Sequence, residues 1–319
     1  MKSLAMVMDP ISDVKPAKDT SFRLLLEAQA QGYQCFYIEL PDLLIDNGNP
    51  LAISRTISVA DQPQDFYQLG EPKRMAMGDF DVIMMRKDPP FDSQYLYATQ
   101  ILELAQRDGA LIVNNPQSLR DCNEKLYTSW FREFITDTIV TASSEVFREF
   151  QQTHGDIIMK PLDGMGGASI FKVGRDASNL GVIIETLTAN GSRYAMAQKF
   201  LPEIKDGDKR ILIIDGEPMP YSLARIPGAG ETRGNLAAGG SGRPQPLTES
   251  DWKIARRIGP ELKKRGLMLV GLDVIGSAIT EINVTSPTCM REIEAAYDIN
   301  IAAQLFEAIA ERRRSGASA

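Results

Sequence analysis

One histidine, His154, stands in 319 residues, and that scarcity removes whole classes of chemistry. A Ser-His-Asp triad or a multi-histidine zinc centre would have to be built around this single side chain. His154 lies in "QQTHGD", where a polar residue in a last helical turn precedes Gly155 as terminator, so it reads as a helix end. Cysteine is scarce as well. Cys35, Cys122 and Cys289 share no metal-type spacing, and their odd count reads as free buried thiols rather than a disulfide framework. No run approaches the roughly 18 apolar residues of a membrane span. The apolar stretch between Lys2 and Asp9 is too short for a secretion signal. Basic charge is in deficit at a net −7, which argues against a nucleic-acid or anionic-membrane partner. The expectation is a soluble, cytoplasmic protein whose chemistry runs on Lys, Arg, Asp, Glu and Asn.

What is present is ordinary globular material, 43% apolar and 24% charged, enough for two domains or three small ones. The first third alternates strand-like and helical runs: "LAMVM", "SFRLLLEAQAQ", "YQCFYIEL", "DVIMM", "SQYLYATQILELAQRDG" and "ALIVNN". Strands separated by helices of this length predict a parallel sheet, with ligands beyond its carboxyl ends. At those ends stand Asp9-Pro10, "RKDPP" and Asn114-Asn115. Near residue 122 the pattern changes. "NEKLYTSWFREF" reads as helix, and hairpins follow, with "KRILIIDGEPMPYSLARI" around Asp215-Gly216 the strongest. Helices return at "ESDWKIARRIGPELKKRG" and "NIAAQLFEAIAERRR", and the tail "SGASA" is expected to fray. The fold class is α/β, turning to α+β in the C-terminal part. The expected division is 1–122 (α/β), 123–200 (a small lid domain) and 201–319.

"DIIMKPLDGMGGASIFKV" carries a lysine, Lys160, and then Gly164, Gly166 and Gly167. A Walker A loop places its lysine after the glycines and at a helix start, and a dinucleotide fingerprint needs a third glycine where Ser169 stands. Both fail here, because a strand-like run follows. What remains is a glycine-rich hairpin whose backbone N–H groups can approach phosphate oxygens beside a cation, or else a plain turn with no ligand.

"GLDVIGSAITEINVTSP" supplies hard oxygen donors. A three-residue turn, Gly276 to Ala278, would set Asp273 opposite Glu281, and Glu281 and Asn283 share a face by the strand's two-residue period. A two-residue turn would disturb that pairing. Such donors without His or Cys suit Mg²⁺ (Mn²⁺ is possible), the alternative being solvated carboxylates on a hairpin. On the hairpin around Asp215-Gly216, Arg210 is expected to face Tyr221. Arg225 would then lie four residues farther along, roughly 13 Å away, suited to a second anion. Arg86 sits at a strand end, and arginines on interior strands suggest carboxylate recognition, the alternative being surface ion pairs. "IPGAGETRGNLAAGGSGRP" is glycine-rich and without periodicity, which predicts a mobile lid over residues 226–242.

With these pieces assembled, the chain resembles the prokaryotic glutathione synthetases of the ATP-grasp superfamily over essentially its full length. "RKDPPFD", "ETRGNLAAGG" and "EINVTSPT" are the narrowest of the shared motifs. The resemblance implies an ATP-grasp fold and ATP-dependent joining of γ-glutamylcysteine to glycine, with ATP as co-substrate, through an acyl phosphate. It implies Lys125 and Lys160 on the ATP phosphates, with Gly164, Gly166 and Gly167 closing over them. Gln198, Lys199, Phe200 and Leu201 would frame adenine, and Asp208 would stand near ribose. It implies metal at Asp273, Glu281 and Asn283, and the peptide substrate at Arg86, Arg210, Arg225, Asn283 and Ser286. Arg210, Arg225, Arg233 and Gly240 would act at the reaction centre. A homo-oligomer is implied as well. The competing readings are another carboxylate–amine ligase of this fold, such as a D-Ala–D-Ala ligase type, and a non-catalytic ATP-binding protein.

Overall fold

The computed structural model describes residues 2–176, 178–236 and 239–316. Three sheets organise it. The first contains β1 (Ser3–Val7), β2 (Gln34–Ile38), β3 (Leu43–Asp46), β4 (Asn49–Val59), β5 (Tyr67–Leu69), β6 (Lys73–Ala76), β7 (Val82–Met85) and β8 (Leu111–Val113). Its helices are α1 (Thr20–Ala30), α2 (Ser93–Arg107) and α3 (Pro116–Asp121), with N-caps Asp19, Asp92 and Asn115 accepting from free backbone N–H groups. β2, β1, β7 and β8 form the expected parallel core. β3 to β6 add an antiparallel flap that the parallel expectation omitted. The reason lies in its half-exposed sequence, whose alternation along β4 is irregular.

The second sheet is antiparallel, in the order β11 (Phe171–Val173), β10 (Ile157–Pro161), β12 (Ala195–Lys199), β9 (Thr138–Thr141). It is backed by α4 (Ser144–His154) and α5 (Leu180–Thr188). Its apolar centre, including Phe147, Ile157, Met159, Ile184 and Leu187, is a separate cluster from the rest of the core. An element with its own small core can move as a unit, as a lid requires. "NEKLYTSWFREF", expected as α-helix, forms two short 3₁₀ turns, Leu126–Trp130 and Arg132–Phe134. Five aromatic or β-branched residues in that stretch lower its helix propensity.

The third sheet runs β15 (Ser241–Pro246), β14 (Glu217–Ile226), β13 (Asp208–Ile214), β16 (Leu269–Ile275), β17 (Ala278–Asn283), all antiparallel. Helices α6 (Glu249–Lys264), α7 (Met290–Tyr297) and α8 (Ile301–Arg314) accompany it. Its core residues mix with those of the first sheet: Ile211 and Ile254 cluster with Val7 and Ile83, and Leu212 and Phe306 with Leu4 and Val82. Asn114 fastens the two sheets. Its side chain donates to the carbonyls of Leu269 (2.8 Å) and Val284 (2.7 Å) and accepts from Leu269 N–H (3.0 Å). Asn114 and Asn115, at a strand end marked for ligands, are thus a cross-link and a helix cap. Of the tail expected to fray, Ala317 to Ala319 lie outside the described residues.

Helix α6 is opened by a capping box of Thr248 and Asp251 and continues through Pro260. Its Gly259 packs against the hairpin turn, where an added Cβ would lie 2.0 Å from the Gly216 carbonyl oxygen. Gly259→Ala should therefore destabilise by about 1–3 kcal/mol, read as a lower urea midpoint, even though alanine is the better helix former. An unchanged midpoint would mean that the turn yields freely.

Candidate active site

The glycine loop between β10 and β11 roofs a cleft of about 850 Å³ between the second and third sheets. Lys125, Lys160, Gly164, Gly166, Gly167, Gln198, Lys199, Phe200, Leu201 and Asp208 all line it, together with Arg233, Asp273 and Glu281. Gly166 and Gly167 take positive φ, +64° and +83°, which lets the backbone turn tightly over the space below. The long loop meets this roof. Arg233 donates to the Gly167 carbonyl at 3.1 Å, and Arg233 pairs with Glu231 at 2.6 Å. A Cβ at Gly240 would fall 2.4 Å from the Gly234 carbonyl oxygen, so this segment is folded closely on itself. Ala237 and Ala238, within the expected lid 226–242, lie outside the described residues.

At the cleft floor two lysines converge on one carboxylate. Lys160 Nζ stands 3.3 Å and Lys125 Nζ 3.5 Å from Glu281 Oε1, and both lysines are buried. Burial alone would raise the carboxyl's proton affinity, but Lys125 and Lys160 outweigh it and hold Glu281 below the usual range. Lys160 is shifted down by burial, with Lys125 adding to the shift and Glu281 opposing it. Lys160 also donates to the Thr280 carbonyl at 3.3 Å, and Lys125 to the Gly164 carbonyl at 2.9 Å.

The register of the acidic hairpin differs from expectation in its turn and agrees in its outcome. The turn has two residues, Gly276 and Ser277, with Ile275 opposite Ala278. A bulge at Thr280 then restores Asp273 opposite Glu281. Ile279 and Ile282 explain it. Three apart, they would face opposite sides of a regular strand, yet both are fully buried, and one extra residue puts them on the same side. Asn283 follows on the Glu281 face, opposite Gly271, and its Nδ2 donates to the Gly271 carbonyl at 3.2 Å.

The arginines do differ. Arg210 faces Leu223, not Tyr221, because the ladder shifts between Ile211 and Ile213. Pro218 and Pro220 on the partner strand lack the N–H groups a regular ladder needs. Arg225 is consequently opposite Asp208, and the two guanidiniums converge rather than standing apart for two anions. Arg210 Nε lies 2.6 Å from Asp273 Oδ1 and Arg225 Nη2 2.7 Å from Asp273 Oδ2. Arg225 also pairs closely with Asp208. Burial would raise Asp273, but Arg210 and Arg225 pull it well below the carboxylate range. Asp208 behaves oppositely despite its arginine. Burial dominates, Arg225 lowers it, and Asp273 and Glu281 raise it, leaving it pushed up to about 6.

Arg86, Arg210, Arg225, Asn283, Ser286 and Gly240 do not line the cleft. Arg86 sits just past the end of the inner strand β7, 4% exposed, donating to Ser21 Oγ (3.0 Å) and the Pro287 carbonyl (2.9 Å). Its Nη1 is buried without a partner. Ser286 lies near enough to Asp88 to act on its carboxyl, and Arg210 reaches Thr288 at 3.4 Å, so one loop after β17 gathers this second group. Glu124, missed in the sequence, anchors the same loop: its Oε1 accepts from Val284 N–H, Thr285 N–H and Thr285 Oγ1 at 2.8–3.0 Å. Only its place beside Lys125 could have flagged it. His154 closes α4 with Gly155 behind it, as its helix-end reading requires, and the three cysteines are free and buried.

The donor set fits a divalent metal in a particular way. Asp208 Oδ1 is a buried acceptor without a donor, and three carboxylates share this region. Among the described residues no three His, Cys, Asp or Glu side chains are placed to hold an ion by themselves. Glu281, Asp273 and Asn283 would therefore share the ion with nucleotide oxygens and water, which suits a hard cation arriving with phosphates.

A family model for the prokaryotic glutathione synthetase N-terminal domain matches residues 1–120, and one for the prokaryotic glutathione synthetase ATP-grasp domain matches residues 124–298. The chain belongs to the prokaryotic glutathione synthetases. As a member it is an ATP-grasp ligase of glutathione synthesis, a family that uses ATP and typically a divalent metal. The glutathione synthetase of Shewanella oneidensis is 61% identical over 312 residues, 98% of this chain and 99% of that protein. That of Escherichia coli (strain K12) is 58% identical over 312 residues, with the same coverage. Among solved structures, D-cycloserine synthetase DcsG matches with a TM-score of 0.69 at 15% identity, covering 98% of this chain and 99% of its own. The macrocyclase MdnC from Microcystis aeruginosa, bound to its precursor peptide MdnA, matches at 0.63 and 14%, over 98% and 100%. These two share the fold. No described helix is long and apolar enough to cross a membrane.

Proposed function

We propose that this glutathione synthetase joins the cysteinyl carboxylate of γ-glutamylcysteine to the amine of glycine, hydrolysing ATP to ADP and phosphate. The observation that carries the reading is the convergence of Lys125 and Lys160 on Glu281 beneath a glycine roof, two cations beside a carboxylate in one cleft. Lys125 and Lys160 bind the ATP phosphates, and Gly164, Gly166 and Gly167 close over them. Gln198 to Leu201 frame the base, and Asp208 stands by the ribose or shares the metal, whose region it occupies. A bound divalent ion, Mg²⁺ with Mn²⁺ as substitute, would neutralise phosphate charge at Asp273, Glu281 and Asn283. Arg86, Arg210, Arg225 and Ser286 orient the dipeptide, and an incoming carboxylate competes with Asp273 for the two guanidiniums.

The dipeptide carboxylate attacks the γ-phosphorus to give an acyl phosphate and ADP, while the lysines hold the transferring charge. Glycine's nitrogen then attacks the acyl carbon, and phosphate leaves. Arg233 and the Gly240 segment shield the intermediate from water, which would otherwise hydrolyse it. The lid 123–200 and the unit 201–319 would clamp the nucleotide between them, with the unit 1–122 supplying Arg86 to the dipeptide. Free buried thiols favour a reducing cytoplasm, and family likeness favours a homo-oligomer without nucleic-acid or membrane partners.

Phosphate release tests this. With ATP and Mg²⁺ it should require both γ-glutamylcysteine and glycine. ATP binding without release would point to a binding protein, and release with D-alanine in place of both would point to the D-Ala–D-Ala type.

A further inference from the structure

β17 is the outermost strand of the third sheet, with β16 on one side and, among the described residues, no strand on the other. An edge strand points every second N–H away from its partner, and those groups need acceptors from elsewhere. At the end of β17 the need falls on Ile282 and Val284, the residues either side of Asn283. One residue meets both. The Glu124 main-chain carbonyl accepts from Ile282 N–H at 2.8 Å, and Glu124 Oε1 accepts from Val284 N–H at 2.9 Å. The same oxygen takes Thr285 N–H (3.0 Å) and Thr285 Oγ1 (2.8 Å), immediately before Ser286. Asn283 is thus flanked by two N–H groups fixed from outside the sheet, while its own Nδ2 is held by the Gly271 carbonyl at 3.2 Å. With that nitrogen engaged, the amide oxygen is the group left for a cation. The neighbours of Glu124 grip the glycine roof instead. Asn123 Nδ2 donates to the Leu162 carbonyl at 3.0 Å and Lys125 Nζ to the Gly164 carbonyl at 2.9 Å. Asn123 Oδ1 accepts from the N–H groups of Lys125 (3.1 Å) and Leu126 (3.0 Å), so the turn that carries Lys125 is closed without the Glu124 side chain.

We propose that Glu124 is the positioning residue for the metal and dipeptide end of the site: it stands in for the strand β17 lacks, and so sets the direction in which β17 presents Asn283 and the following loop presents Ser286. The inference rests on the ligase reading above, which gives Asn283 to the metal and Ser286 to the dipeptide, and adds what holds them. Reach is the requirement, rather than charge. Ile282 and Val284 lie roughly 7 Å apart along a strand, and Glu124 spans that distance with its carbonyl at one end and its carboxylate at the other. A side chain shorter by one methylene would fall about 1.5 Å short. Glutamine has the same length and offers the same acceptor oxygen, whereas aspartate keeps the charge and loses the reach.

The test compares the full chain with Glu124→Ala, Glu124→Asp and Glu124→Gln. Mn²⁺ affinity in the presence of ADP is read by electron paramagnetic resonance, and the γ-glutamylcysteine KM by steady-state kinetics. Glu124→Ala and Glu124→Asp should weaken Mn²⁺ binding about 10- to 100-fold and raise that KM about tenfold, and Glu124→Gln should bring both to within about threefold of the parent. Binding of ADP with EDTA present should match the parent in all three, because Asn123 holds the turn of Lys125. A merely structural glutamate would weaken metal-free ADP along with everything else, and that result overturns the proposal. A glutamine variant no better than the aspartate one also overturns it, since charge would then be the cause. So does parental Mn²⁺ affinity and KM in Glu124→Ala. Should Glu124→Ala fail to fold, the aspartate and glutamine variants decide by the same order. A parent chain that binds Mn²⁺ with ADP yet makes no glutathione would count against the ligase reading instead, and the Mn²⁺ series would still decide the role of Glu124.

Discussion

Lys160→Met is expected to lower ATP-dependent turnover by about 10²–10³-fold while leaving the fold standing. Lys160 is the penultimate residue of β10, just before the glycine roof, and its ammonium is held between Glu281 Oε1 and the Thr280 carbonyl. Nothing structural needs the charge. Burial works against it and Lys125 repels it, which is what the proposed role at a ligand's phosphates would require. Methionine fills nearly the same volume without that desolvation cost, and Glu281 retains Lys125 as a counter-charge. The measurement pairs kcat with a thermal midpoint. The midpoint should hold or rise as kcat falls, and a variant with parental turnover would remove Lys160 from the phosphate site. A parallel fall in both would make the lysine a structural ion-pair member.

Asp273→Asn should do the reverse, costing the fold about 3–5 kcal/mol as well as the activity. Asp273 is 3% exposed and is the shared counter-ion of Arg210 and Arg225, themselves 5% and 3% exposed. An amide keeps the shape and one acceptor oxygen but leaves two buried guanidiniums with Asp208 alone between them. Asp208 carries a weakened charge, since burial beside other carboxylates pushes it up to about 6. Urea unfolding would read the loss, and Mn²⁺ binding in the presence of ADP, followed by electron paramagnetic resonance, would read the metal ligand separately. An unshifted urea midpoint would show that the arginines find other partners. Unchanged Mn²⁺ binding would take Asp273 out of the metal site.

Chemistry in this chain was legible where it depends on residue type and local period. The order of Lys160 before Gly164, Gly166 and Gly167, with a strand after them, already separated this roof from a Walker loop. One histidine already confined any triad or histidine-held zinc to His154, which closes a helix, and the alternation of Glu281 and Asn283 with Ile282 and Val284 already placed both polar groups on one side. Each is a statement about neighbours in the chain, where backbone geometry allows few choices. Tertiary structure decided what depends on two segments meeting. Burial of Ile279 together with Ile282 forced the Thr280 bulge, and only that bulge reconciles a two-residue turn with Asp273 opposite Glu281. Pro218 and Pro220 displaced the ladder so that Arg210 and Arg225 converge on Asp273, where a regular hairpin would have spread them about four residues apart. The orphaned Asp208 Oδ1 and Tyr95 hydroxyl carry no mark in the sequence, because a missing hydrogen-bond partner is a property of everything packed around a group. Register and satisfaction are set by the sum of long-range burial, and a single strand does not contain that sum.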